Sequence, residues 1–226
     1  VAAVSRYVAE DALELISVEY ETLTPVADAV KALEPGSPLL FEEHGSNVML
    51  QKLFTWGDVD AAFASAAHVV QERFRWNRLG ANPLETFGVI SQWDLVDGGL
   101  TCRGSFQAQG HMAMARAMVF GLPLNKVRLI SHPHGGSFGG KGGARGTDIT
   151  ALLSRKAGGR PVKWIEDRME YLAGGASQAW DRHYDAAIAL SADGKVSGFK
   201  VRLLDDLGAT AEGWGAVSAA KPLANF

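Results

Sequence analysis

His134-Gly135-Gly136-Ser137-Phe138-Gly139-Gly140-Lys141-Gly142-Gly143 follows the apolar stretch Val127-Arg128-Leu129-Ile130 and leads into a helix-prone stretch from Ala144 to about Lys156. The run is therefore the loop of a strand–loop–helix unit. Glycine at this density lets main chain pass close to another body and take up positive φ without steric cost. Free N–H groups beside a helix N-terminus make a receptor for an anion. A flexible surface turn has no use for six glycines around one phenylalanine and one lysine. The run is assigned a binding role.

Outward from the loop, the chain mixes helices with hairpins. Ser5 or Glu10 opens a first helix carrying Ala12, Leu13 and Leu15 on one face. Ile16, Val18 and Tyr20 alternate as in a strand, and residues 24–45, with Pro25, Pro35 and Pro38, read as a connection. Asp58 caps a helix over 58–67, and 68–75 resumes strand alternation. Two β-type runs, 88–94 and 100–106, flank Asp97-Gly98-Gly99 and predict a hairpin. A helix over 109–120 ends at Gly121, with Pro123 beyond. After the glycine loop come a strand at 162–165 and a second hairpin, 184–190 and 196–204, around Ala192-Asp193-Gly194. This order predicts an α+β fold rather than a doubly wound sheet.

Composition narrows the function. The chain has 226 residues, 47% hydrophobic and 21% charged, enough for one large domain or two small ones. Net charge is −3 and no basic patch stands out, which argues against a nucleic-acid partner. No apolar run reaches the length of a membrane span, and Val1 does not open a signal peptide. Cys102 is the single cysteine, so neither a disulfide framework nor a cysteine-held zinc or iron–sulfur site is expected. These features predict a reducing, cytoplasmic setting. Both ends read as interior to a larger polypeptide.

Several residues carry chemical options. Gly135, four intervening residues, Gly140 and Lys141 satisfy most of a nucleotide hydrolase's phosphate-binding loop, but Gly142 stands where that loop needs Ser or Thr for Mg²⁺. Leu203-Leu204-Asp205-Asp206 could imitate its acidic strand, yet falls in a predicted hairpin. Dinucleotide binding lacks the acidic residue it needs at the end of a following strand. Glu85 lies at the mouth of an apolar strand, where burial would raise its pKa; alternatively it pairs with Arg75 or Arg78. Gln107 either offers its amide to a ligand oxygen or caps the next helix. His132 and His134 would share a strand face but have no third metal ligand nearby. Trp56, Trp76, Trp93, Trp164 and Trp180 are expected in packing, and most of the charges of 160–168 in solvent.

Taken together, Pro83-Leu84-Glu85-Thr86, Ser105-Phe106-Gln107-Ala108, Gly121-Leu122-Pro123 with Lys126-Val127-Arg128, residues 135–141 and residues 160–171 resemble the large, molybdenum-binding subunits of the xanthine oxidase family. The Pro-Leu-Glu-Thr and Phe-Gln-Ala pieces look most like the carbon monoxide dehydrogenase-type branch. On this resemblance, residues 1–25 correspond to the end of a hammerhead-type domain. Residues 26–45 correspond to a linker, and residues 46–226 to the first part of the molybdopterin-binding region, incomplete at its C-terminal side.

The resemblance implies molybdenum held by a pterin dithiolene, in the cytosine dinucleotide form, and hydroxylation with water as the oxygen source. Electrons would leave through 2Fe–2S clusters and FAD on small and medium partner subunits, in a dimer of heterotrimers that also needs the remainder of the large subunit. Gln107 matches the glutamine whose amide hydrogen-bonds an oxo group on the metal. Gly135, Gly136, Ser137, Phe138 and Gly139 match the loop that brings main-chain amides to the cofactor, with Phe138 bordering the substrate pocket. Ser137 replaces a more usual glycine and would add a hydroxyl. Gly142 stands where purine-oxidising members carry a glutamate, which implies a wider or less polar pocket. The family's general-base glutamate is not matched by Glu85 or Glu166. A scaffold of the same fold without metal is the alternative from another class.

Overall fold

In the computed structural model, which describes residues 1–143, 146–174 and 178–208, local signals place most elements. Ser5 caps helix α1 (Arg6–Leu13), accepting the Val8 N–H at 3.3 Å, and Asp58 caps α2 (Val59–Ala64), accepting the Ala61 N–H at 2.9 Å. Strand β1 (His68–Trp76) follows. Strands β2 (Gly88–Asp94) and β3 (Gly99–Gly104) form the hairpin around Asp97-Gly98-Gly99, with Gly98 at φ 70°. Helix α3 (Gln109–Phe120) stops where Gly121 turns left-handed. Then come β4 (Val127–Ser131), α4 (Thr147–Lys156), β5 (Val162–Ile165), α5 (Arg168–Ala173), β6 (Asp181–Leu190) and β7 (Val196–Asp206). The expected start of α4 at Ala144 lies outside the described residues.

The chain divides into two compact units, residues 1–20 with 80–178, and residues 21–79 with 179 onward. The first holds a four-stranded sheet in the order β4-β3-β2-β5. Only β3 and β4 run parallel, in the register Leu100↔Val127 to Gly104↔Ser131; the β2 pairings are antiparallel. Along β2 the inward residues Val89, Ser91 and Trp93 alternate with outward ones, as a sheet covered on one face requires. Phe87, Val89, Trp93, Leu100, Cys102, Phe106, Met112, Ala151 and Tyr171 form the core. Each large side chain buried there contributes roughly 1.5–3 kcal/mol. Ser91 and Ser154 keep α4 close to β2: the Ser91 hydroxyl meets Thr150 Oγ1 at 2.8 Å, and Ser154 Oγ accepts the Trp93 N–H at 3.0 Å. The buried Arg116 guanidinium ties α3 to the first turn of α4 through both Asp148 oxygens, at 2.8 and 3.1 Å. In the second unit β1, β6 and β7 make an antiparallel sheet in the order β1-β6-β7.

Some expectations yield to tertiary context. Residues 16–20 form no strand; Ile16, Val18 and Tyr20 are exposed and find no partner strand to complete a ladder. Trp56 and Trp76 are exposed too, while Trp93 is buried and Trp164 packs against the core. Helix α5, absent from the expected order, starts at a local signal: Asp167 and Glu170 form a capping box, each side chain accepting the other's backbone N–H at 2.7 Å. Of the charges of 160–168, Arg160, Lys163 and Asp167 are exposed as expected, while Glu166 is buried and Arg168 is tied to the chain at 82–84. Among the described residues, no helix is long and apolar enough to cross a membrane.

Candidate functional site

Sheet topology gathers the loops. Because β3 and β4 are parallel and β2 is antiparallel to both β3 and β5, four chain segments meet at one end of the sheet. They are residues 82–87 before β2, 105–108 after β3, 132–143 after β4 and 166–168 after β5. Ligand sites at the carboxyl ends of parallel strands follow the same geometric logic.

Gln107 and the glycine loop form one assembly. Gln107 Oε1 accepts the Gly139 N–H at 3.1 Å and the Ser137 hydroxyl, while the Gln107 N–H donates to the Lys141 carbonyl at 3.0 Å. A main-chain N–H is donor only, so these bonds fix the amide orientation and leave the side-chain NH₂ as the outward end. Among the described residues that NH₂ has no partner. Ser137 Oγ also accepts the Lys141 N–H at 3.1 Å, so this hydroxyl closes the loop on itself. Gln107 does not cap α3: the N-cap is Ala108, held at φ 58°.

The loop's own N–H groups are partly committed. Gly136 donates to the His134 carbonyl at 3.0 Å and Gly140 to the Ser137 carbonyl at 2.8 Å. The N–H groups of Ser137 and Phe138 have no partner among the described residues, and they sit at the tip of the loop. Phe138 is 77% exposed and held at φ 51°, a conformation that an L-residue with a side chain rarely adopts. Gly136 has φ 85°, and a Cβ there would stand 2.9 Å from Phe138 Cε2. The site thus combines two vacant main-chain donors, one oriented amide and one exposed aromatic wall. That combination suits an anionic, bulky ligand with oxygen or sulfur atoms.

Beneath the loop lies a group that sequence reasoning judged differently. Glu85 does not pair with Arg75 or Arg78, which engage Asp181 and Asp206. Its Oε2 accepts the Gly135 N–H and stands 3.3 Å from Lys141 Nζ, and its Oε1 accepts the Ser105 hydroxyl. Burial raises the Glu85 pKa, but the Ser105 hydroxyl, the Gly135 N–H and the Lys141 ammonium outweigh it and hold the carboxyl below its ordinary value. The expected upward shift is therefore reversed. Lys141 is 0% exposed, so its ammonium cannot reach a phosphate as a nucleotide hydrolase's lysine must. His132 is exposed and His134 half-buried, both past the end of β4 rather than on a strand face. No local motif links Glu85 to Lys141; the one available signal was the pairing of two charges around an otherwise apolar and glycine-rich neighbourhood.

A groove of about 1520 Å³ in the second unit runs past Lys52, Trp56, Arg73, Asp185 and Lys200. Four of its charges are engaged in pairs, Arg73 with Asp185 at 2.6 Å and Lys200 with Asp60 at 2.8 Å.

Residues 40–224 match the molybdopterin cofactor-binding domain family. The carbon monoxide dehydrogenase large chain of Afipia carboxidovorans is 38% identical over 222 residues, covering 92% of this chain and 27% of that protein. Among solved structures, reconstituted CO dehydrogenase from Oligotropha carboxidovorans superposes with a TM-score of 0.77 at 37% identity, covering 88% of this chain and 26% of that one. Quinoline 2-oxidoreductase from Pseudomonas putida 86 gives 0.78 at 31% identity, covering 89% and 25%. The chain thus spans about a quarter of the length of the proteins it matches.

Proposed function

The chain belongs to the family of molybdopterin cofactor-binding domains, and from that premise we propose that it holds the cofactor in the large subunit of a carbon monoxide dehydrogenase-like molybdenum hydroxylase. The observation that carries this reading is the Gln107 amide, oriented by Ser137 and Gly139 beside the vacant N–H groups of Ser137 and Phe138. Molybdenum on a pterin dithiolene, when bound, supplies two-electron oxidation of substrate with water as the oxygen source.

The chain's own residues hold and orient. The Gln107 NH₂ and the Ser137 and Phe138 amides would hold the molybdenum–pterin group by donating to its anionic atoms. Phe138 walls the substrate pocket and excludes water, and Gly142 leaves that pocket without the acidic group a purine would need. A small carbonyl, an N-heterocycle or a similar substrate fits this description; quinoline and carbon monoxide are named for the relatives. The cytosine dinucleotide form of the cofactor, a 2Fe–2S small subunit, an FAD-binding medium subunit and a dimer of heterotrimers complete the proposal, in a cytoplasmic setting. Residues 1–25 are assigned to the end of a hammerhead-type domain and 26–45 to a linker, with the molybdopterin-binding region from 46; residues 209–226 of that region lie outside the described residues.

Elemental and nucleotide analysis of the purified native complex tests the reading. Stoichiometric molybdenum with releasable cytidine nucleotide is expected. Folded complex without molybdenum would overturn it in favour of a metal-free scaffold, and stabilisation by Mg²⁺–nucleotide in such a preparation would revive the phosphate-binding loop.

A further inference from the structure

One acidic side chain touches both ends of the glycine loop. We propose that Glu85 is a positioning residue of the cofactor site: its carboxylate fastens the loop through the Gly135 N–H at one end and the Lys141 ammonium at the other, and so sets where the Ser137 and Phe138 amides and the Gln107 NH₂ stand. This rests on the molybdenum–pterin reading above and adds to it a residue that touches no cofactor.

The carboxylate is itself held from several sides. The Ser105 hydroxyl, two residues from Gln107, donates to Oε1. Arg168 donates to Asn82 Oδ1 at 2.6 Å and to the carbonyls of Pro83 at 2.9 Å and Leu84 at 2.7 Å, fixing the chain just before Glu85. Thr86 Oγ1 donates to the Glu166 carbonyl at 2.7 Å and fixes the chain just after it. A continuous path then runs from α5 through residues 82–86 to Gly135 and Lys141. It returns to Gln107 through the Lys141 carbonyl, which accepts the Gln107 N–H at 3.0 Å. A loop serving only as a connection would keep its one charge in solvent; here Lys141 is wholly buried against Glu85 at 3.3 Å. Buried charges are retained in pairs because removing one partner strands the other. Supporting shells of this kind hold functional groups at the geometry that chemistry needs.

The test uses the molybdenum-loaded holoenzyme with Glu85→Gln, and with the double variant Glu85→Gln/Lys141→Met. Glutamine keeps the size and an acceptor but cannot balance the lysine. The double variant removes the stranded charge and should recover thermal stability while leaving the loop untethered. Expected in both is molybdenum content near wild type with turnover per molybdenum down at least about tenfold, since misplacement by about 1 Å costs up to about 100-fold. The loss should fall mainly on kcat, with KM moving less, because neither substituted residue lines the substrate pocket. The Mo(V) paramagnetic resonance signal should change in the same sense as in Gln107→Ala. A double variant with wild-type turnover and signal would show a purely structural pair and overturn the proposal; so would loss of molybdenum from folded variants. Should Glu85→Gln alone fail to fold, the double variant carries the test. If wild-type complex proves to hold no molybdenum, the functional reading falls, yet the clamp is still read by hydrogen exchange. Amides of 135–141 must then exchange faster in the double variant, and unchanged exchange overturns it.

Discussion

The Gly139 N–H and the Gln107 side-chain oxygen meet at 3.1 Å although 32 residues separate them in the chain. This bond joins the end of β3 to the loop after β4, and it determines which end of the glutamine amide faces outward. It also brings Gln107 next to Phe138, whose neighbours Ser137 and Gly139 are the two donors. The amide, the vacant donors and the aromatic wall therefore act as one surface.

Gln107→Ala in the assembled enzyme should cut turnover by roughly 10²–10³-fold, the usual cost of removing one preorganised donor from developing charge. Molybdenum content should remain near normal, since the loop's main-chain donors at Ser137 and Phe138 are retained. Turnover per molybdenum is the measurement, and an unchanged value removes Gln107 from the site.

Gly136→Val should abolish cofactor retention. It places a branched side chain at φ 85°, against Phe138 Cε2 at 2.9 Å. Gly139→Ala is the control: φ is 91° but nothing lies within 4 Å of a Cβ. It should cost only about 1–2 kcal/mol of backbone strain and keep the metal. Full molybdenum occupancy in Gly136→Val would contradict the close approach argued for the loop.

Gly146→Ala tests packing away from the loop tip. The added Cβ would fall 1.6 Å from Trp164 Cε3, so the ring or the start of α4 must move. Overpacking of this kind costs about 1–3 kcal/mol or more, and the melting temperature should fall. Gly110→Ala, in the first turn of α3 with nothing within 4 Å, should instead gain up to about 1 kcal/mol. Differential scanning calorimetry separates the two signs.

Acid should loosen the loop before it unfolds the core. The folded-state pKa of Glu85 lies below its ordinary 4.5, so its contribution to stability is complete above that value. As pH falls through the lower folded value, the carboxyl takes up a proton and the contribution is lost. Hydrogen exchange of Gly135 and Lys141, corrected for intrinsic rates, should accelerate below that point in wild type. In Glu85→Gln the same step should be absent; its persistence would assign the acid transition to another group.

Much of this was legible locally. Ser5 and Asp58 cap their helices, Gly121 ends α3, and the Asp97-Gly98-Gly99 turn closes the first hairpin, because each signal acts within a few residues. The Asp167–Glu170 capping box that starts α5 is just as local. Ile16 to Tyr20 shows the limit: alternation proposes a strand, but a strand exists only if another segment supplies its ladder.

The chain's order of residues determined most of the elements, the glycine loop and the resemblance that singled out Gln107 and Phe138. It did not determine the pairing of Glu85 with Gly135 across 50 residues, the burial of Lys141, or the downward direction of the Glu85 pKa. Those follow from the strand order β4-β3-β2-β5, which brings the start of β2 beside the ends of β3 and β4. Strand pairing is non-local, and the field at a carboxylate depends on which charges and donors the fold delivers to it.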